Sequence, residues 1–449
     1  MGSRANFFDA PKLAPETGKD LARRILDATM AAIDVRHAML ARLRLDGQTL
    51  VVGGESLKLP KPPRVVAIGK AANRMAATLD EILGGRIESG VVASPAESPQ
   101  KLARLRYFQG GHPYPNSGSL RGAEAAVELL AGRTESDAVI YLISGGGSAL
   151  FERPLDPQIS LSDLIELNRL LVGCGLPIEQ INVIRKHLSS VKGGRLAARA
   201  HPARQLTVYI SDVPDDVPSM VASGPTMPDE STTEQCYSLV AKHDLAAKLP
   251  ATIRKHFEAH SLEETPKPGD PRFARSRYYC LLSNRDALEA AKTAAENFGF
   301  AAEIDTGNWD AHYRQVVDES MDRLDAARER HPGKAVCLIQ GGEVISPVTG
   351  SGMGGRNQAF ALYAAGEIAE SRRTVLSAGT DGRDGNSPTG GAVADGETLA
   401  RARDLGLDAE EYLKASDSYH FFRALGDTIE TGFTDNNVRD VRLWLDFER

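Results

Sequence analysis

The chain has 449 residues, enough for roughly two to three domains with large buried cores. Its 53 Lys and Arg stand against 60 Asp and Glu, and the net charge of −7 gives a long-range field of the wrong sign for a general nucleic-acid or anionic-membrane binder. Glycine is modestly abundant, 42 residues against a usual usage of about 7%, so its placement carries more information than its amount.

No apolar run approaches the ~20 residues that cross a bilayer; the strongest is Ala138–Ile143. Residues 1–12 lack the apolar core of a secretory leader, which predicts a cytoplasmic protein. Cys174, Cys236, Cys280 and Cys337 are widely spaced without CxxC pairs, and the expectation is mostly buried, inert thiols rather than disulfides or a zinc site.

In chain order, residues 1–18 read as a tail, and apolar positions across 19–43 fall near helical spacing, predicting one long amphipathic helix. A repeating unit follows: a short β-branched run, a Gly-, Ser- or Asp-rich turn, then a helical segment. Arg64–Ile68 leads to Gly69-Lys70, Ala138–Ile143 to Ser144-Gly145-Gly146-Gly147-Ser148, and 206–210 to Ser211-Asp212. Residues 251–275, rich in charge and proline, read as a linker between a domain at 19–250 and another at 276–449. The second domain is expected to open on a strand at 278–282, followed by 335–339 with Gly341-Gly342-Glu343 and 374–376 with Gly379-Thr380-Asp381. Strands alternating with helices predict an α/β protein of two domains with mainly parallel sheets flanked by helices, ligands lying beyond the carboxyl ends of the strands.

Several of these turns can carry chemistry. The 144–148 loop offers unobstructed backbone N–H groups and two hydroxyls, suited to phosphate or carboxylate oxygens or simply to a tight strand exit. Lys70, at the start of a helix, opposes the helix dipole unless an anion binds beside it; the plain alternative is a solvated lysine. Arg185, Lys186, His187, Lys192 and Arg195 crowd a short span, either a solvated basic face or a polyphosphate surface. Carboxylates in Ser211-Asp212-Val213-Pro214-Asp215-Asp216 and in 379–385 suit Mg²⁺ or ordinary turn chemistry. Gly350-Ser351-Gly352-Met353-Gly354-Gly355 matches GxGxxG in outline, but Pro347 before it and Arg356-Asn357-Gln358 after it suit a dinucleotide fold poorly; Arg356 is better suited to clamp an anion. His112, His187 and His420 lie near these loops without metal-ligand spacing.

Taken in order, A-I-G-K-A-A at 67–72, G-G-H-P at 110–113, S-G-G-G-S-A at 144–149, I-N-V-I-R-K-H-L-S-S-V-K-G-G-R-L-A at 181–197, S-D-V-P at 211–214, S-G-P-T at 223–226, G-G-E at 341–343, G-G-R-N-Q at 354–358 and G-T-D-G-R-D-G at 379–385 resemble the D-glycerate 2-kinase family, whose C-terminal domain is of the MOFRL type. The resemblance implies a Rossmann-like N-terminal domain, an active site in an interdomain cleft, and ATP- and Mg²⁺-dependent phosphorylation of the 2-hydroxyl of D-glycerate by a monomer or homodimer. It makes Lys70 and Arg356 catalytic, with Asp212 a Mg²⁺ ligand or general base and Asp381 and Glu343 second choices for either role. Ser144, Gly145, Gly146, Gly147, Ser148, Lys192, Gly193, Gly342, Glu343 and Asp381 are the expected nucleotide- and substrate-binding positions, with Asp212 and Asp381 the metal candidates. Where similar proteins read T-G-P-T-G-T-N-V, this chain has Phe433 and Asp435 in place of proline and glycine, which bears on the identity of the hydroxy acid. The competing readings are a nicotinamide-dependent hydroxypyruvate reductase, resting on the 350–355 loop, a kinase of a related hydroxy acid, and a non-catalytic sugar-acid sensor, which leaves Lys70 and Arg356 without a task.

Overall fold

The computed structural model describes residues 17–214, 217–307 and 310–447; residues 1–16 of the expected tail, and Asp215-Asp216, lie outside them. Two compact units result, one built from 32–286 with 433–439, the other from 17–31, 287–432 and 440–447.

The first unit opens with a short helix, Val35–Arg42, and a three-stranded antiparallel sheet of β1 (Leu43–Asp46), β2 (Thr49–Val52) and β3 (Glu55–Lys58). Its main sheet comprises β4 (Arg64–Ile68), β5 (Ser89–Ser94), β6 (Leu105–Gln109), β7 (Ala138–Ile143), β8 (Arg204–Ile210) and β9 (Ser276–Leu282). The order is β6-β5-β4-β7-β8-β9, every pair parallel. The chain thus builds outward from β4 on one side and then from β7 on the other, the doubly wound order of a Rossmann sheet. Parallel strands buried on both faces need continuous apolar runs, and Val65 to Ile68 and all of β7 are buried.

The second unit holds the helix Gly18–Ala32 and a sheet of β10 (Ala301–Asp305), β11 (Val336–Gln340), β12 (Arg373–Gly379), β13 (Gly391–Asp395), β14 (Thr428–Ile429) and β15 (Asp440–Asp446). The order is β10-β11-β15-β12-β13-β14. Only β10 and β11 pair in parallel, because the C-terminal strand β15 inserts antiparallel between β11 and β12. The α/β class is as expected, but this sheet is mixed. Trp444 of β15 is fully buried, and its Nε1 donates to Gln340 Oε1 on β11 at 3.0 Å.

Four sequence expectations change. The single helix at 19–43 is two helices: Thr17 caps the first through its hydroxyl, which accepts from Asp20 N, and Asp34 caps the second by accepting from His37 N. The strand at 278–282 does not open a second domain; β9 closes the edge of the first sheet beside β8. Residues 251–275 are no loose linker, since Ile253 and Phe257 of the helix Ala251–Glu258 join Leu249 in a core cluster with Ile184 and Leu188. Cys174 is exposed rather than buried, while burial pushes the Cys236 thiol up to about 12. Among the described residues no helix is long and apolar enough to cross a membrane.

Candidate active site

In the first unit the carboxyl ends of β4 and β7 lie side by side where the strand order reverses, the crevice in which open α/β sheets hold ligands. The two exit turns are tied together. Lys70 N donates to Gly145 O at 3.0 Å, Ala71 N to Ser144 Oγ at 3.0 Å, and Ser144 N to Ile68 O at 2.9 Å. Ser144 is therefore buried as the fastener of the Lys70 turn. Ser148 Oγ is held by Ser223 Oγ at 2.7 Å.

The bare backbone between these hydroxyls is closely bordered. A methyl group on Gly145 would lie 2.1 Å from Asp212 Oδ2, at the exit of β8. One on Gly146, whose φ is +80°, would lie 3.2 Å from the His112 ring and 3.4 Å from Lys70 Cγ. Lys70, Asp212 and His112 thus converge on one glycine patch. The sequence had placed them in three separate turns.

The neighbouring basic run is no solvated face: Lys186, His187, Lys192 and Arg195 are buried. Lys186 pairs with buried Asp229 at 3.0 Å. The Lys192 ammonium is spent on Glu152, both side chains being buried; burial pushes its pKa down while Glu152 opposes this. Arg195 donates to the carbonyls of Lys186 and Ser189 at 2.7 Å each. Gly193 N donates to Ser223 O at 3.1 Å. Lys192 and Gly193, expected to hold ligand oxygens, are thus engaged within the fold by Glu152 and by Ser223 O.

In the second unit, Arg356 opens the helix Arg356–Glu367. Its Nε donates to Asp440 Oδ2 at 2.6 Å and an Nη to Oδ1 at 2.7 Å, and Glu343 Oε1 lies 3.2 Å away. Burial alone would favour the neutral form, but the Asp440 carboxylate and then Glu343 outweigh it and hold the guanidinium charged. Gly342 O accepts from Asp440 N at 3.4 Å, fastening the 341–343 turn to the same strand. A methyl on Gly379 would lie 3.4 Å from both Asp381 Oδ1 and Asp440 Oδ1, so Asp381 borders this cluster too.

Asp384 caps the helix. Its Oδ1 accepts from Asn357 N at 3.0 Å and its Oδ2 from Gln358 N at 2.8 Å. Burial raises its pKa to about 7 against the pull of those N–H groups and of Arg356. A carboxylate therefore occupies the helix N-terminus where a dinucleotide fold would place its pyrophosphate. The N–H groups of Gly352, Met353 and Gly354 are likewise spent, on Ala415 O, Asp417 Oδ1 and Asn386 Oδ1. The 350–355 loop is thus no dinucleotide cradle, which removes the footing of the reductase reading.

The family model described as "Domain of unknown function (DUF4147)" matches residues 21–258, and that of the MOFRL family matches 336–440. A D-glycerate 2-kinase from Thermotoga maritima is 35% identical over 438 residues, 96% of this chain and 99% of that one. The chain belongs to the glycerate 2-kinase family. A glycerate 2-kinase from Pyrococcus horikoshii is 33% identical over 94% of this chain and 96% of its own. The solved glycerate kinase structure from Thermotoga maritima matches with a TM-score of 0.82 at 33% identity, covering 95% of this chain and 99% of that one.

Within this glycerate 2-kinase family chain, the departure at 431–438 includes a position of left-handed backbone. Asp435, where glycine was expected, adopts φ +53°, a left-handed conformation that Asp tolerates better than most side chains. Phe433 is 74% exposed. Among the described residues no three His, Cys, Asp or Glu side chains group to hold a metal. The donors fit instead a hard cation carried largely by phosphate and water, with Asp212 presenting a carboxylate against bare loop backbone. Asp381 is less suited, since its Oδ1 accepts from Arg383 N at 3.1 Å. Sequence reasoning missed Asp440 and Glu152, which lie 84 and 40 residues from their partners, and chose Asp381 over Asp384 within one turn.

Proposed function

We propose that this chain transfers the γ-phosphoryl group of ATP to the 2-hydroxyl of D-glycerate, giving 2-phospho-D-glycerate and ADP. The reading rests on the family and, in the molecule itself, on one observation: of the two cations singled out from the sequence, Lys70 stands at the exit turn of β4 with its backbone tied to Gly145, and Arg356 opens a helix with its guanidinium held by Asp440.

Phosphoryl transfer leaves little covalent work to a protein; charge stabilisation and positioning supply most of the rate. Lys70 and Arg356 act on the transferring group. Asp440 keeps the guanidinium oriented so that no reorganisation is needed as charge develops. Asp212 accepts the proton of the 2-hydroxyl as the oxygen attacks phosphorus, or else ligates Mg²⁺; with the glycine patch beside it, this carboxylate is the first-choice holder of both roles. Bound Mg²⁺ supplies neutralisation of phosphate charge. The backbone N–H groups of residues 145–148 receive anionic oxygens.

Purified protein with D-glycerate, ATP and Mg²⁺ is expected to release ADP and to leave NADH and NADPH unchanged when offered hydroxypyruvate. Nicotinamide oxidation without ADP release overturns the proposal.

A further inference from the structure

The second unit contains a cavity of about 560 Å³, within the range of small-molecule sites, of which Arg356 is one wall. Two properties stand out. Its walls carry Arg314, Arg356 and Lys414 and, among the described residues, not a single Asp or Glu, in a chain whose net charge is −7. Its other walls include the flat or apolar surfaces of Tyr313, Tyr412, Leu413 and Val348. Val348 is 83% exposed, the most exposed large apolar side chain among the described residues.

Such a cavity suits an anion with a planar, weakly polar body. D-glycerate is a three-carbon acid rich in hydroxyls; it neither fills this volume nor uses apolar walls. A nucleotide does both. The N–H groups of Gly352, Met353 and Gly354 are spent on Ala415, Asp417 and Asn386, so that loop is a fixed wall and charge recognition falls to the side-chain cations. Arg314 is held in place by its stacking over Tyr363, 4.6 Å from the ring centroid, and by Glu410, 3.5 Å from its guanidinium, so that Lys414 and Arg356 carry the charge recognition with it.

We propose that this cavity seats the base and ribose of the phosphoryl-donor nucleotide, with Arg356 meeting its phosphates and Val348 covered on binding. The inference rests on the kinase reading and adds to it the location of the donor and the residues that select it.

The test measures ADP binding to the full chain by calorimetry, together with KM for ATP and for D-glycerate, in Val348→Asp and Lys414→Glu, with the exposed Leu405→Ser as control. The expected result is ADP affinity weakened at least tenfold and KM for ATP raised in both variants, with KM for D-glycerate within twofold and the control unchanged. Full kinase activity with unaltered ADP affinity overturns the cavity assignment and leaves the kinase standing. A raised KM for D-glycerate with unaltered ADP affinity assigns the cavity to the acceptor and overturns it equally. A wild-type chain that neither binds ADP nor releases it from ATP overturns the kinase reading, and this inference falls with it.

Discussion

Asp440 grips Arg356 through two parallel N–H···O bonds of 2.6 and 2.7 Å, joining the first residue of a helix to the first residue of the strand that threads the centre of the second sheet. A bidentate fork of this kind fixes the plane of the guanidinium, which an ammonium cannot reproduce. Arg356→Lys is expected to lower kcat about 10³-fold with little change in thermal midpoint. Asp440→Asn keeps the volume but loosens the fork, for an expected fall in kcat of about 100-fold, the scale of a small misplacement. Steady-state kinetics beside circular dichroism check both; near-normal kcat in Arg356→Lys removes the catalytic role.

Asp384 ties stability to pH. Its carboxyl pKa is raised by burial to about 7 from an ordinary 3.8, so between about pH 4 and 7 the folded chain holds a proton that the unfolded chain has lost. Its contribution to stability therefore falls as pH rises through that window. Asp384→Asn removes the titration, and the wild-type-minus-variant stability difference, measured by urea unfolding, is expected to decline from pH 4 to 7 and level off above. A difference independent of pH contradicts the assignment.

Gly145 separates close approach from turn chemistry. A methyl there would meet Asp212 Oδ2 at 2.1 Å, so the carboxylate must move. Gly145→Ala is expected to cost at least roughly tenfold in kcat while the far-UV spectrum stays native. Unchanged turnover would mean that the position of Asp212 is immaterial.

The buried Lys192 and Glu152 pair is expected to behave as structure. Removing one partner strands a charge, and Lys192→Met is expected to lose roughly 3–5 kcal/mol of unfolding free energy. The double variant Lys192→Met with Glu152→Leu should recover most of that and retain KM for both substrates. Recovered stability with a lost KM for ATP would return Lys192 to the ligand.

Much of this is legible in the sequence. β-branched runs followed by Gly- and Ser-rich exits located β4, β7 and β8, and a lysine at an unfavourable helix start marked Lys70, because these signals are local in sequence. Long-range pairing was not legible. Nothing near Arg356 announces Asp440, and nothing near Lys192 announces Glu152, so a buried ion pair read as a solvated or phosphate-facing charge. The fate of β9 and β15 was hidden for the same reason: a strand's own residues state that it is buried, not which neighbour it joins. In the turn at 379–385 two aspartates carry equal composition, and only the helix N-terminus packed beside them distinguishes Asp384 from Asp381.

The most direct measurement is the identity of the phosphorylated product. Incubated with D-glycerate, ATP and Mg²⁺ and then given enolase, the reaction is expected to form phosphoenolpyruvate without a phosphoglycerate mutase, as 2-phospho-D-glycerate must. A product that enolase leaves untouched until a mutase is added would place the phosphate on the 3-hydroxyl and contradict the account.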